Sequence, residues 1–213
     1  MLIGMPVYTD VDLLDVTGPH EVLGWMKDIA GIDVTIQLFA KTPGEITTRD
    51  GFTFKVDNPF LPAPKLDVLW VPGGKPEALL EQLKPDSGYI QFLRSQSNAT
   101  WICSVCEGAV LLAESGLLDG YLITTHHDFI PCFSRYPKVK MAQGFPRFVH
   151  DRNRLTGGGI SSGLDEAFKL VQLLSSYQVA QEIQSVTQYY PCPPVASELV
   201  PATSCPLWPV APQ

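Results

Sequence analysis

The sequence predicts an α/β fold: a mostly parallel sheet with helices on both faces. Three observations point there. Short apolar runs alternate along the chain with amphipathic stretches of helical spacing. The runs stop abruptly at turn-forming residues, as at Pro72-Gly73-Gly74. Of 213 residues, 45% are hydrophobic and only 17% charged, which suits a sizeable core and excludes a disordered chain.

Leu2–Tyr8 is apolar and ends at Thr9-Asp10, a strand followed by a turn. Pro19–Ile29 carries Val22, Leu23, Trp25, Met26 and Ile29 at helical spacing; Gly18-Pro19 with Glu21 reads as its start, with Pro at the first helical position. Val34–Ala40 is the next strand. Ile46–Val56 folds back around Arg49-Asp50-Gly51 as a hairpin. Val68–Val71 is a buried strand, followed by helices near Pro76–Leu83 and Ser87–Gln96. Thr100–Val105 is a strand, Gly108–Leu118 a helix and Tyr121–Thr125 a short strand. Arg147–Val149 and Arg154–Thr156 flank Asp151-Arg152-Asn153 as a second hairpin. Gly163–Leu174 and Tyr177–Tyr189 are helical. Residues 1–190 read as a single domain and 191–213 as a Pro-rich tail that cannot form a regular helix or central strand. Trp208 favours a tail wrapped over a neighbour.

The composition also limits function. A formal charge of −7 lacks the basic stripe that nucleic-acid backbone binding needs. No run of about eighteen apolar residues occurs, so no membrane helix is expected. The five cysteines are odd in number and irregularly spaced, unlike a small disulfide-stapled fold. The N-terminus does not read as a signal peptide, so the expected setting is reducing and cytoplasmic.

Parallel sheets bind ligands beyond the carboxyl ends of their strands, so chemistry is sought there. Cys106 lies where an apolar strand turns into a helix, the position of a nucleophile elbow. The helix start favours its thiolate, whereas the neighbouring Glu107 carboxylate disfavours it. Cys103 and Cys106 also spell C-x-x-C, but no further ligand motif completes a metal site. Asp15, between the first strand and first helix, can reach the same crevice and act as a protonated general acid. Gly73-Gly74 can present backbone N–H groups to developing negative charge. Gly157-Gly158-Gly159 is neither a dinucleotide fingerprint nor a Walker loop, and is read as a loop packed under a small pocket. His126 and His127 stand at another strand end, where either can be a base. Cys132 reads as structural.

Six motifs in order resemble the ThiJ/PfpI superfamily. They are Asp15-Val16-Thr17-Gly18-Pro19-His20-Glu21-Val22, Val71-Pro72-Gly73-Gly74, Cys106-Glu107-Gly108-Ala109, Gly116-Leu117-Leu118-Asp119-Gly120, Thr124-Thr125-His126 and Thr156-Gly157-Gly158-Gly159. Within it the chain most resembles the isonitrile hydratases, from residue 2 to about residue 195. The resemblance implies a flavodoxin-like fold, a homodimer, no cofactor and no metal. It implies that Cys106 is the nucleophile and Asp15 its acidic partner. It places Gly74 and the backbone N–H of Glu107 in the oxyanion region, Gly159 and Ile160 in a loop over the pocket, and Thr17 at the helix entry. One departure stands out: those hydratases usually carry Thr after the nucleophile, and this chain carries Glu107. The PfpI-type proteases carry His there, which this chain lacks. The leading expectation is therefore an isonitrile hydratase acting on a small molecule. The alternatives are a glyoxalase- or deglycase-like enzyme using Cys106 and His126, and a non-enzymatic cysteine sensor or ligand-binding domain.

Overall fold

The computed structural model describes residues 1–208. In chain order the elements are β1 (Leu2–Pro6), α1 (Leu13–Ala30), β2 (Thr35–Ala40), β3 (Gly44–Thr47), β4 (Thr53–Val56), β5 (Asn58–Pro59), β6 (Val68–Val71), α2 (Pro76–Leu83) and α3 (Tyr89–Ser95). They continue with β7 (Trp101–Ser104), α4 (Gly108–Ser115), β8 (Leu122–Ile123), β9 (Lys140–Met141), β10 (Phe148–Asp151), β11 (Arg154–Gly157), α5 (Ser162–Leu174) and α6 (Tyr177–Val186). Short 3-10 turns cover Pro85–Ser87 and His127–Arg135.

The main sheet runs β10-β11-β7-β6-β1-β2-β5, and only the edge strand β10 is antiparallel. Helices α1, α5 and α6 pack together on one face, and α2, α3 and α4 on the other. The central strands are apolar throughout: Val68, Leu69, Trp70 and Val71 of β6 have no exposed surface. That is what a parallel sheet covered on both sides requires. The carboxyl ends of β1, β6, β7 and β11 lie along one edge, which gathers Pro72-Gly73-Gly74, Cys106 and Gly158-Gly159 into one crevice. The β3–β4 hairpin is a separate two-stranded sheet, and β8 pairs with β9 outside the main sheet.

Three elements differ from the sequence reading. Helix α1 starts at Leu13, so Pro19 lies inside it and Asp15 in its first turn. A mid-helix proline removes the N–H that would bond the carbonyl four residues back. Here that carbonyl belongs to Asp15, and the Trp70 indole Nε1–H donates to it at 3.0 Å. The sheet thus supplies the donor that Pro19 lacks. Secondly, the short strand expected at Tyr121–Thr125 forms over Leu122–Ile123 only, and it pairs with β9 outside the main sheet. Thirdly, His127–Arg135 is helical despite Pro131, because Phe129, Cys132 and Phe133 turn one apolar face to the core.

From Pro191 onward the described chain forms no helix or strand. It returns to the 3-10 turn at His127–Arg135, where Cys205 forms a disulfide with Cys132 across a Cα–Cα distance of 4.7 Å. Leu207 is buried, and the Arg135 guanidinium lies 4.6 Å from the centre of the Trp208 ring. The odd cysteine count argued against a disulfide framework, yet one pair forms because the tail folds back onto its own chain. Among the described residues, no helix is long and apolar enough to cross a membrane.

The Trp70–Asp15 bond has a measurable signature. Trp70→Phe leaves a buried carbonyl without a donor and is expected to lower stability by about 1–3 kcal/mol in chemical denaturation. Pro19→Ala restores the helical N–H, so Trp70→Phe should cost less in that background. Equal costs in both backgrounds would show that the indole does not serve this carbonyl.

Candidate active site

Cys106 occupies a sharp turn between β7 and α4 with a φ of +56°, which a non-glycine residue adopts only under constraint. The constraint is visible. Its N–H donates to the Gly158 carbonyl at 2.7 Å, and its own carbonyl accepts from Thr125 Oγ1 at 2.9 Å. Gly73 closes the approach from β6: a Cβ built there would lie 2.9 Å from the Cys106 Cβ and 2.8 Å from the Glu107 Cδ. Only glycine leaves room for both side chains.

Asp15 reaches this turn from α1. Its Oδ2 accepts the Gly73 N–H at 2.8 Å, and its Oδ1 is buried with no partner among the described residues. Carboxyl oxygens of Asp12 and Asp15 and the Cys106 sulfur all lie within 4.8 Å of one another. Asp12, at the start of α1, was missed by the sequence reading. So was Arg49, which reaches over from the β3–β4 turn to Asp12 Oδ1 at 3.0 Å.

Glu107 points inward and is 4% exposed. Its Oε1 accepts the Gly74 N–H at 3.1 Å, and its carboxyl also lies against its own backbone N–H. Two backbone donors expected in the oxyanion region are therefore engaged: Gly73 by Asp15 and Gly74 by the Glu107 side chain.

Burial sets the electrostatics. It pushes the Asp15 carboxyl well above the usual range, aided by Asp12 and Glu107 and opposed by the Gly73 N–H. It pushes Glu107 up to about 7. It pushes the Cys106 thiol well up too, with Glu107 and Asp15 adding to the effect and the Ile160 N–H opposing it. The two opposed influences on Cys106 read from sequence thus resolve toward the neutral thiol. The site holds a thiol and an Asp15 carboxyl both pushed toward their neutral forms, beside a Glu107 carboxyl that titrates near 7, a set suited to attack coupled with proton transfer.

The remaining expected residues surround this cluster. Thr17 is exposed on α1, and its Oγ1 donates to the Leu13 carbonyl at 2.9 Å. It lines a cavity of about 330 Å³ with Asp12, Leu14, Arg49 and Ile160. Ile160 also borders a second cavity of about 300 Å³, lined by His126, His127, Phe145 and Gly159. His126 packs on Gly159 so closely that a Cβ there would lie 2.7 Å from its Cδ2. Its Nδ1 accepts the Asp128 N–H at 3.2 Å, and burial followed by His127 lowers its pKa. It is a neutral ring on the loop's flank and has no hydrogen bond to Cys106. Neither these two cavities nor a larger one of about 750 Å³ near Tyr8, Asp10 and Ile46 is lined by Cys106 or Asp15, so the cluster is marked by its side chains and not by a cavity. Two donor sets lie close enough to share a cation: Asp12–Asp15–Cys106, and His126–His127–Asp128. In the first, the shifts toward neutral forms oppose metal binding.

Residues 2–173 match the model of the DJ-1/PfpI family. This chain belongs to that family. It is 38% identical over 199 residues to the isonitrile hydratase of Pseudomonas putida, covering 92% of this chain and 81% of that protein. It is 29% identical over 143 residues to the HTH-type transcriptional regulator CdhR of Pseudomonas aeruginosa, covering 66% of this chain and 40% of the regulator. Among solved structures, a ThiJ/PfpI family protein from Pseudomonas syringae superposes with a TM-score of 0.82 at 30% identity, covering 91% of this chain and 77% of that one. The flavodoxin-like arrangement expected from the sequence is the fold of this family.

A further buried acid lies behind the crevice. Glu166 on α5 is fully buried, with neither carboxyl oxygen partnered among the described residues. Burial raises its pKa well above 4.5, and Asp15 adds to the effect. A carboxyl raised in the folded state contributes stability below the unfolded value that is lost as pH rises toward the folded value. Glu166→Met has no such loss. Its advantage in melting temperature over wild type should therefore widen between pH 4.5 and about pH 8. A constant difference across that range would show that Glu166 is not held neutral.

Proposed function

We propose that this protein hydrates an isonitrile to an N-substituted formamide through a Cys106 thioimidate, with Asp15 as proton donor and without a cofactor. The observation that carries the reading is a thiol on a constrained strand-to-helix turn, with the neutral Asp15 carboxyl within 4.8 Å. Likeness to the Pseudomonas putida isonitrile hydratase supports the substrate class.

In the first step, Cys106 Sγ attacks the terminal isonitrile carbon. An S–C bond forms as the S–H bond breaks, the thiol proton passing to a base in the site, and the isonitrile carbon takes the Asp15 proton. Water then adds to the thioimidate carbon and returns a proton to Asp15. The nitrogen takes the proton the thiol gave up, the hydroxyl proton passes to sulfur as the C–S bond breaks, and the formamide leaves with the thiol restored. One water is consumed and no electrons are exchanged. Leu13, Leu14 and Ile160 offer an apolar wall for the substituent.

The engaged N–H groups favour this over the glyoxalase-like alternative. Attack on a carbonyl places negative charge on oxygen and needs free donors. Attack on an isonitrile places charge on carbon and needs a proton, which Asp15 holds. A homodimeric state and a cytoplasmic setting belong to the same reading, the first carried by family membership. The Cys132–Cys205 bridge weighs against the second, because that compartment keeps thiols reduced.

The test uses cyclohexyl isocyanide, with the formamide followed by NMR. Wild type should turn over. Cys106→Ala should not, and Asp15→Asn should lose about 100-fold or more in kcat while keeping its circular dichroism. Full turnover by Cys106→Ala would end the mechanism, and methylglyoxal turnover without formamide would move the protein to carbonyl chemistry. For the setting, acid-trapped protein from cells decides: Cys132 and Cys205 both alkylatable would support the cytoplasm. A bridge already present in the trapped sample would place the protein in an oxidising compartment.

A further inference from the structure

We infer that Glu107 is a further catalytic residue of this site: the base that takes the Cys106 proton as sulfur attacks, and returns it within the same turnover. The inference rests on the isonitrile-hydratase reading and adds to it a step that Asp15 cannot perform.

The need arises from the thiol. Cys106 is 1% exposed and its burial favours the neutral form, so attack must be accompanied by removal of its proton. Asp15 is itself held protonated and is committed to the isonitrile carbon. Asp12 is bound to Arg49. His126 has no hydrogen bond to Cys106, and its Nδ1 accepts from the Asp128 backbone N–H.

Glu107 meets the requirement by geometry. Nothing forces a glutamate at a helix start to turn inward, yet this one is 4% exposed. Its Oε1 is anchored by the Gly74 N–H at 3.1 Å. Its Oε2 is buried without a hydrogen-bond partner among the described residues. A Cβ built on Gly73 would touch Cys106 Cβ at 2.9 Å and Glu107 Oε2 at 3.0 Å, so the two side chains flank one point. A merely structural glutamate would need only Oε1. The groups acting on it are Asp12 and Asp15 from α1, Tyr8 after β1, Arg49 from the β3–β4 turn and the Cys106 thiol. Burial raises its pKa, Asp12 adds to the rise, and the Cys106 thiol and the Gly74 N–H oppose it; the result is about 7, so near neutral pH a fraction is ionised and able to accept a proton.

The protons balance through the cycle. Sulfur attacks carbon, the S–H proton passes to the Glu107 carboxylate, and the Asp15 proton passes to the isonitrile carbon. Water adds to the thioimidate, its proton passing to Asp15 while Glu107 protonates the nitrogen. The hydroxyl proton then passes through Glu107 to sulfur as the C–S bond breaks. Formamide leaves, and all three groups are restored.

The test measures two pH profiles in wild type, Glu107→Gln and Glu107→Asp. One is kcat/KM for cyclohexyl isocyanide; the other is the rate of Cys106 alkylation by iodoacetamide, which needs no substrate. In wild type both should rise with pH through an inflection near 7. In Glu107→Gln, kcat should fall about 100-fold or more and that inflection should vanish from both profiles. Glu107→Asp should keep an inflection, displaced in pH. Glu107→Gln with the wild-type profiles and kcat within a few-fold would overturn the inference. If wild type does not hydrate the isonitrile, the hydratase reading fails by itself, and alkylation still decides whether Glu107 receives the thiol proton. If Glu107→Gln does not fold, Glu107→Asp decides: an unmoved inflection overturns the inference and a displaced one supports it.

Discussion

The bond from the Trp70 indole to the Asp15 carbonyl joins the two halves of this site. Pro19 leaves that carbonyl without a helical donor, and β6 provides one. The result is a fixed depth for the first turn of α1 against the end of β6. From that position the Asp15 carboxyl can take the Gly73 N–H, and Gly73 in turn packs against Cys106 and Glu107. A kink-prone residue in a helix and a tryptophan in a buried strand thus set the position of a carboxyl beside a thiol.

The second constraint is charge. Asp12, Asp15, Glu107 and Glu166 are all nearly or fully buried, and Arg49 at the rim is the cation bonded to any of them. Four ionised carboxylates so close would repel one another as well as lose their hydration, so all four are shifted toward their protonated forms. A store of protons around a neutral thiol is unhelpful for simple thiolate nucleophilicity. It is helpful for a reaction in which the attacked atom must be protonated as the new bond forms. The placement of Glu107 at about 7, with Asp15 well above the usual carboxylate range, separates a group able to accept from one able to donate.

Much of this was legible in local sequence. The apolar run ending at Val105 marked the elbow at Cys106, and the strand-helix alternation placed Asp15 at the same sheet edge. The start of α1 was misread because Pro19 fits the first helical position by rule, and the donor that lets it sit six residues deeper comes from Trp70, 51 positions away in the chain. Asp12 and Arg49 were invisible for the same reason: the β3–β4 turn looked like an ordinary hairpin until its arginine met α1. Glu166 did leave a signal. It lies on the buried stripe of α5 with Gly163, Ala167 and Leu170, where a charged residue is out of pattern. Trp208 pointed to a packed tail, but the pairing of Cys205 with Cys132 was unreadable, since it follows from how the chain returns and not from spacing.

Glu107 also bears on which substrates the site can serve. In acyl and carbonyl chemistry the residue after an elbow nucleophile contributes a backbone donor to the oxyanion. Here the side chain of that same residue occupies the neighbouring donor, the Gly74 N–H. A carbonyl substrate would have to displace a buried carboxyl before any charge could be stabilised. A linear isonitrile makes no such demand, because its attacked carbon is terminal and the developing charge stays on that carbon. The departure at Glu107 therefore weighs against a carbonyl substrate more than against an isonitrile once the direction of the side chain is known.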